Sequence, residues 1–172
     1  MHPLRVEVEK LLSFQTSQAA SEAIVAAGGE GLNAVKEGMR DSNWRLRMVC
    51  TEFLDHFADK TCVDALLMAL KDGKQDVRRR AFHSIACQTC KKEPLGLDLV
   101  PILLDAISND RSLKVRRRAA GSLGMQKPDR RAVEPVRAFL AEATDQKLKR
   151  LLTQVLSRHE QAPAEQTGAC LI

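Results

Sequence analysis

Apolar residues recur along this chain at spacings of three and four, in two alternating series. In one series Leu32, Val35 and Met39 share a helical face, as do Val63, Leu66, Leu67 and Leu70. Leu99, Leu103, Leu104 and Ile107 repeat it, and so do Val133, Val136, Phe139 and Leu140. The other series starts on an aliphatic anchor with a basic residue directly after it: Leu46-Arg47, Val77-Arg78 and Val115-Arg116. Small or apolar residues follow at plus four and plus eight, namely Cys50/Leu54, Ala81/Ile85 and Ala119/Leu123. An Asp stands five residues ahead of each anchor, at Asp41, Asp72 and Asp110. A fourth copy, Leu148-Lys149 with Leu152 and Leu156, lacks that Asp. The anchors lie 31, 38 and 33 residues apart, the length of a helical hairpin.

The pattern predicts A helices near 17–27, 43–57, 75–88, 112–125 and 145–159, and B helices near 31–40, 62–71, 98–108 and 132–142. Residues 3–14 read as an N-terminal capping helix. Asp and Asn ahead of the A helices are expected N-caps. Gly28-Gly29, Asp72-Gly73 and Pro94 to Gly96 punctuate the turns. A hairpin with a single apolar face cannot bury it alone, so the units must stack. The fullest copy runs Asp110-Arg-Ser-Leu-Lys-Val115-Arg116-Arg117-Arg118-Ala119-Ala120-Gly-Ser-Leu123-Gly124. It resembles a HEAT repeat of the bilin-lyase-like subtype, and the likeness extends over roughly residues 17–159. The resemblance implies an all-α fold: a right-handed α-solenoid of about four hairpins with A helices on the convex side. It divides one domain, 1–159, into repeats near 17–41, 42–72, 73–110 and 111–143, a final helix at 145–159 and a flexible tail at 160–172. It also implies a structural ladder in which Arg47, Arg78 and Arg116 pair with Asp41, Asp72 and Asp110 and link successive repeats.

Composition narrows the picture. Aliphatic residues are too many for a disordered chain, and aromatics, at 3%, too few for an all-β one. Charges recur through the N-terminal segment, and no run of 18 apolar residues occurs, so neither a signal peptide nor a membrane span is expected. Five cysteines without framework spacing point to reduced thiols and a cytoplasmic location. Cys170 has two residues after it, one short of a prenylation signal.

The net charge of +5 is uneven: residues 71–131 carry 15 basic and 7 acidic side chains. At about 100° per residue, Arg79 points away from the Val77/Ala81/Ile85 face and Arg80 flanks it. Arg117, Arg118 and Arg150 fall in matching places, so stacking aligns Arg79, Arg80, Arg117, Arg118 and Arg150 into a basic stripe near the A-helix N-termini. Such a stripe suits an acidic segment of a partner protein. Its bland alternative is a solvated face. Trp44, at the start of an A helix, reads either as a staple or as an exposed anchor. Nucleic acid is the second partner reading, held back by the shortage of aromatic stacking platforms.

Repeat two carries the extra residues, around Cys87-Gln-Thr-Cys90. His83, Cys87 and Cys90 share an outward face if the helix runs that far, a spacing suited to a soft metal, with Cys62 as the fourth donor. A second Cys pair at zinc spacing is missing, so unrelated thiols are the simpler reading and no cofactor is expected. No catalytic motif is legible, and the chain reads as a non-enzymatic scaffold. The alternatives, drawn from the same resemblance, are a DNA-glycosylase-like nucleic-acid binder or a subunit of a bilin-lyase-like enzyme.

Overall fold

The computed structural model describes residues 2–87 and 89–163. Among these, ten α-helices and no strands occur: α1 (Arg5–Lys10), α2 (Ser17–Ala26), α3 (Gly28–Gly38), α4 (Trp44–Phe57), α5 (Val63–Ala69), α6 (Gln75–Ala86), α7 (Val100–Asn109), α8 (Leu113–Gly124), α9 (Val133–Glu142) and α10 (Gln146–Glu160). Short 3-10 turns at Lys60–Cys62 and Arg130–Ala132 lead into α5 and α9. None of the helices is long and apolar enough to cross a membrane. Cys170 and residues 164–172 of the expected tail lie outside the described residues.

The A series forms one row: α4 packs on α6, α6 on α8, and α8 on α10. Each B helix packs closely on the A helix that follows it, as α3 on α4, α5 on α6, α7 on α8 and α9 on α10. The core is continuous along this row and includes Val8, Val35, Leu46, Leu66, Val77, Leu103, Val115, Leu123 and Leu152. Small residues let the A helices approach. The Ser84 hydroxyl donates to the Thr51 carbonyl across α4 and α6, at 2.8 Å. Ser122, seven residues after its own anchor as Ser84 is, donates to Phe82 in the next gap.

Several boundaries depart from expectation for local reasons. The capping helix ends at Lys10, where the Thr16 hydroxyl donates to its carbonyl and closes a turn. α3 begins three residues early because Gly28, at φ 56°, takes the left-handed backbone that breaks it from α2. Gly31 then lies so close to α2 that a Cβ would meet the Ile24 carbonyl oxygen. α6 stops at Ala86 because Cys87 is extended, so Cys90 lies on a loop.

The turns before the A helices are joined by a row of ion pairs. Arg47 grips both oxygens of Asp72 at 2.6 and 3.0 Å while donating to the Asp41 carbonyl. Arg78 grips Asp110 at 2.7 and 2.8 Å while donating to the Asp72 carbonyl. Arg5 starts the row on Asp41. The expected Arg116 is not in it: its Nε–H donates to the Ile107 carbonyl, and Arg117 grips Asp145 instead. The reason is a register shift. Asp41, Asp72 and Asp110 are not N-caps; each accepts from the N–H two residues on, forming a turn ahead of the helix. Asp145 sits two residues closer to its anchor, caps α10 by accepting from Leu148, and meets the next arginine along α8.

The far end is fastened by buried His159. Its Nδ1 accepts from the Asp129 N–H at 2.9 Å, and its Nε2 lies 3.1 Å from the Leu123 carbonyl.

Arg78 and Asp110 are the most enclosed pair of the row, with side chains 6% and 9% exposed. Arg78→Ala strands a buried carboxylate and is expected to cost about 3–5 kcal/mol, read by urea denaturation. The Asp145 carboxyl is held below the ordinary range by Arg117 and the Leu148 N–H, and Asp41 by the Asn43 N–H and Arg5. At Asp72 and Asp110 burial pushes upward, but the arginine and backbone hydrogen bonds outweigh it. Depressed folded-state values make this stability fully present above about pH 4 and lost as pH falls through the folded values. Circular dichroism on acid titration should show cooperative unfolding below about pH 4, with a flatter approach in Arg78→Ala.

Candidate functional site

Two places concentrate chemistry, and one arginine touches both. The first is a groove of about 580 Å³ across α6, α8 and α10. Its walls carry Arg79, Lys114, Arg117, Arg118 and Lys147, with Asp76 as the acidic member and Gly121 and Leu151 as its floor. Helical spacing explains the arrangement: Lys114, Arg117, Arg118 and Gly121 lie at i, i+3, i+4 and i+7 on α8. Lys147 and Leu151 do the same on α10. Arg118 is crowded: burial lowers the affinity of its guanidinium for the proton, and Arg79 and Arg80 lower it further. A site that strains a cation in this way is relieved by an anion.

The expected stripe is only partly gathered here. Arg79, Arg117 and Arg118 line the groove, but Arg117 is also committed to Asp145. Arg80 is turned to Glu52 on α4 at 3.1 Å, and its Nε is buried without a partner. Arg150 is outside the groove lining. Trp44 is half-buried at the start of α4, with the Arg45 guanidinium 4.8 Å from its ring centre, and does not line the groove. Lys114 and Lys147 are not legible as groove residues from the arginine triplets, because they lie outside the runs 78–80 and 116–118. Their i+3 and i+4 relation to Arg117 and Leu151 was the available signal.

The second place adjoins the first through Arg118, 3.5 Å from His83. Asp55 near the end of α4, His83 on α6, and Cys87 and Cys90 after α6 bring one donor atom each within 4.8 Å of one another. His83 Nε2 lies 3.1 Å from Asp55 Oδ2. The two sulfurs are 2.6 Å apart. The other oxygen, Asp55 Oδ1, is buried with no hydrogen-bond partner. Lys91, buried, donates to the Ser84 and Cys87 carbonyls and brings its ammonium 3.8 Å from that oxygen. Arg118 reaches the other ring nitrogen of His83 at 3.5 Å.

Cys62 is not part of this group. It is buried at the turn before α5, with its sulfur 3.6 Å from Asp59 Oδ1, and Asp55 takes the place assigned to it. No spacing rule links Asp55 to residues 28 and more positions away; only the stacking of α4 on α6 does.

The thiols differ in chemistry. Burial pushes Cys50 up to about 12 and raises Cys62 as well. Burial opposes ionisation of Cys87 too, but Cys90 and Thr89 as hydrogen-bond partners hold its thiol below the ordinary range. The Cys90 thiol is pushed up by its bond with Cys87. Among the described cysteines, the Cys87/Cys90 pair is therefore expected to be alkylated well before Cys50 and Cys62, as peptide mass mapping after brief iodoacetamide treatment would show.

No family model and no curated protein matches the chain. Among solved structures it is similar to an engineered protein, Northeast Structural Genomics Consortium target OR329. The match has a TM-score of 0.54 at 15% identity, and covers 91% of this chain and 79% of that one. At that identity the likeness concerns the fold alone.

Proposed function

We propose that the chain is a HEAT-like α-solenoid that acts without catalysis, as a scaffold that grips an acidic segment of a partner protein in the α6–α8–α10 groove. The observation that carries this reading is the groove itself: five cationic side chains from three successive A helices face one carboxylate across about 580 Å³. The row of A helices and the repeated Arg–Asp pairing support the solenoid part. Guanidinium groups on a rigid helical wall suit carboxylates, which they bind in forked pairs. Among the described residues no aromatic side chain lines the groove, which gives bases no stacking platform there. An acidic peptide therefore fits better than a single-stranded nucleic acid.

Arg117 also serves the ladder, so it is unsuited to a clean test. The informative variant is Arg79→Glu with Lys114→Glu and Lys147→Glu. Fluorescence anisotropy with a labelled Asp/Glu-rich peptide should show binding by the wild type that weakens with salt. The triple variant should lose at least about tenfold in affinity (about 1.4 kcal/mol) while its thermal midpoint holds. Undiminished binding by that variant overturns the reading. Tighter groove-dependent binding of a labelled oligonucleotide than of the peptide transfers the site to phosphate recognition.

A further inference from the structure

The groove leaves unexplained why repeat two carries an extra loop and why that loop delivers two thiols to a histidine and a carboxylate. We propose that Asp55, His83, Cys87 and Cys90 form a four-donor site for a divalent metal of the zinc class. Two sulfurs, one imidazole nitrogen and one carboxylate oxygen are the donor types such an ion takes, four in number. They come from two helices and a loop, and their donor atoms already lie within 4.8 Å of one another.

The orphaned Asp55 Oδ1 points to a ligand independently of the cysteines. The Asp55 side chain is nine-tenths buried, and this oxygen accepts no hydrogen bond. A buried carboxylate oxygen without a donor is costly. Lys91, 3.8 Å away, donates to the Ser84 and Cys87 carbonyls and gives this oxygen no hydrogen bond; a metal ion bound to it removes the cost, whereas a Cys87–Cys90 disulfide would leave it as it is. Charge balance agrees. Two thiolates and a carboxylate around a divalent ion leave one negative charge, and buried Lys91 stands 3.8 Å from Asp55 to offset it.

Loading is written as M²⁺ plus two thiols giving a dithiolate complex and two protons, with no change of oxidation state. An ion held by both sulfurs parts them to the edge of a tetrahedron, about 3.8 Å at ordinary zinc–sulfur lengths. Cys90 lies on the loop and is half-exposed, so the adjustment falls on it. The loop is anchored beside the site by Lys91, whose ammonium ties Ser84 and Cys87 carbonyls together at the end of α6.

The test uses the full chain, reduced and kept free of oxygen, titrated with Co²⁺ alone. One Co²⁺ per chain is expected, with a thiolate-to-cobalt charge-transfer band in the near ultraviolet and the intense visible bands of a tetrahedral ion. Zn²⁺ should bleach both, and about two protons should appear per ion bound. Cys90→Ser, at the half-exposed loop, and Asp55→Asn should each weaken binding by more than the roughly tenfold that even an outer-sphere change costs. Zn²⁺ should also raise the thermal midpoint of the wild type and leave that of Cys90→Ser in place. A folded wild type that shows no thiolate band overturns the proposal. So does Co²⁺ binding that is unchanged in Cys90→Ser, or a wild type that closes a Cys87–Cys90 disulfide under mild oxidant and binds no metal when reduced.

Discussion

Two of the A helices, α4 and α6, carry an arginine that holds two turns at once. Arg47 and Arg78 donate to a carbonyl of their own turn and, through the rest of the guanidinium, to the aspartate of the next. A lysine could not do this, because the task needs several donors in one rigid plane. The fork sets the separation of successive helix starts, and the other inter-repeat contacts inherit that separation. The Ser84-to-Thr51 and Ser122-to-Phe82 bonds recur at equivalent depths because the helices are held in the same register. The groove aligns residues from α6, α8 and α10 for the same reason, and the stacking of α4 on α6 brings Asp55 opposite His83.

The last pairing shows what is conserved in such a device and what is free. From Arg78–Asp110 to Arg117–Asp145 the aspartate moves two residues toward its anchor and the arginine one residue along its helix. The ion pair survives because both ends shift. Asp145 also gains a second task, since at its new position it caps α10 directly. The adjustment gives up burial: the Arg117 side chain is 30% exposed, against 6% for Arg78. Arg117 is left half in the ladder and half in the groove.

Helices were legible in the sequence to within a few residues because period and anchor spacing are local properties. The ladder was legible only as far as its register stayed constant. The fourth copy looked incomplete at the level of sequence since Ala143, not Asp, stands five residues ahead of Leu148. Arg116 took the ladder role by analogy, and only the position of Asp145 in space corrects it. Cys87 and Cys90 were visible as a pair and His83 as a neighbour on the helix. Asp55 was not visible, because its relation to them is a packing relation between repeats. Cys62 looked equivalent on paper, but its side chain is turned into the core beside Asp59.

Charge accounting joins the ladder to the groove. The aspartates at the turns are already engaged by arginines of the preceding repeat, so they do not neutralise the face beyond them. Glu52 takes Arg80, and Asp98 with Asp129 takes Arg131. The basic excess of residues 71–131 is thereby left on the outward face of α6 and α8, where Lys114 and Arg118 meet Lys147 of α10. A merely solvated surface spreads like charges apart. Here burial first, and then Arg79 and Arg80, disfavour the charge of Arg118, whose guanidinium lies 3.5 Å from His83. That burden is a cost to the folded chain, and it sits on a wall where successive arginine-bearing helices, α6 and α8, pack side by side.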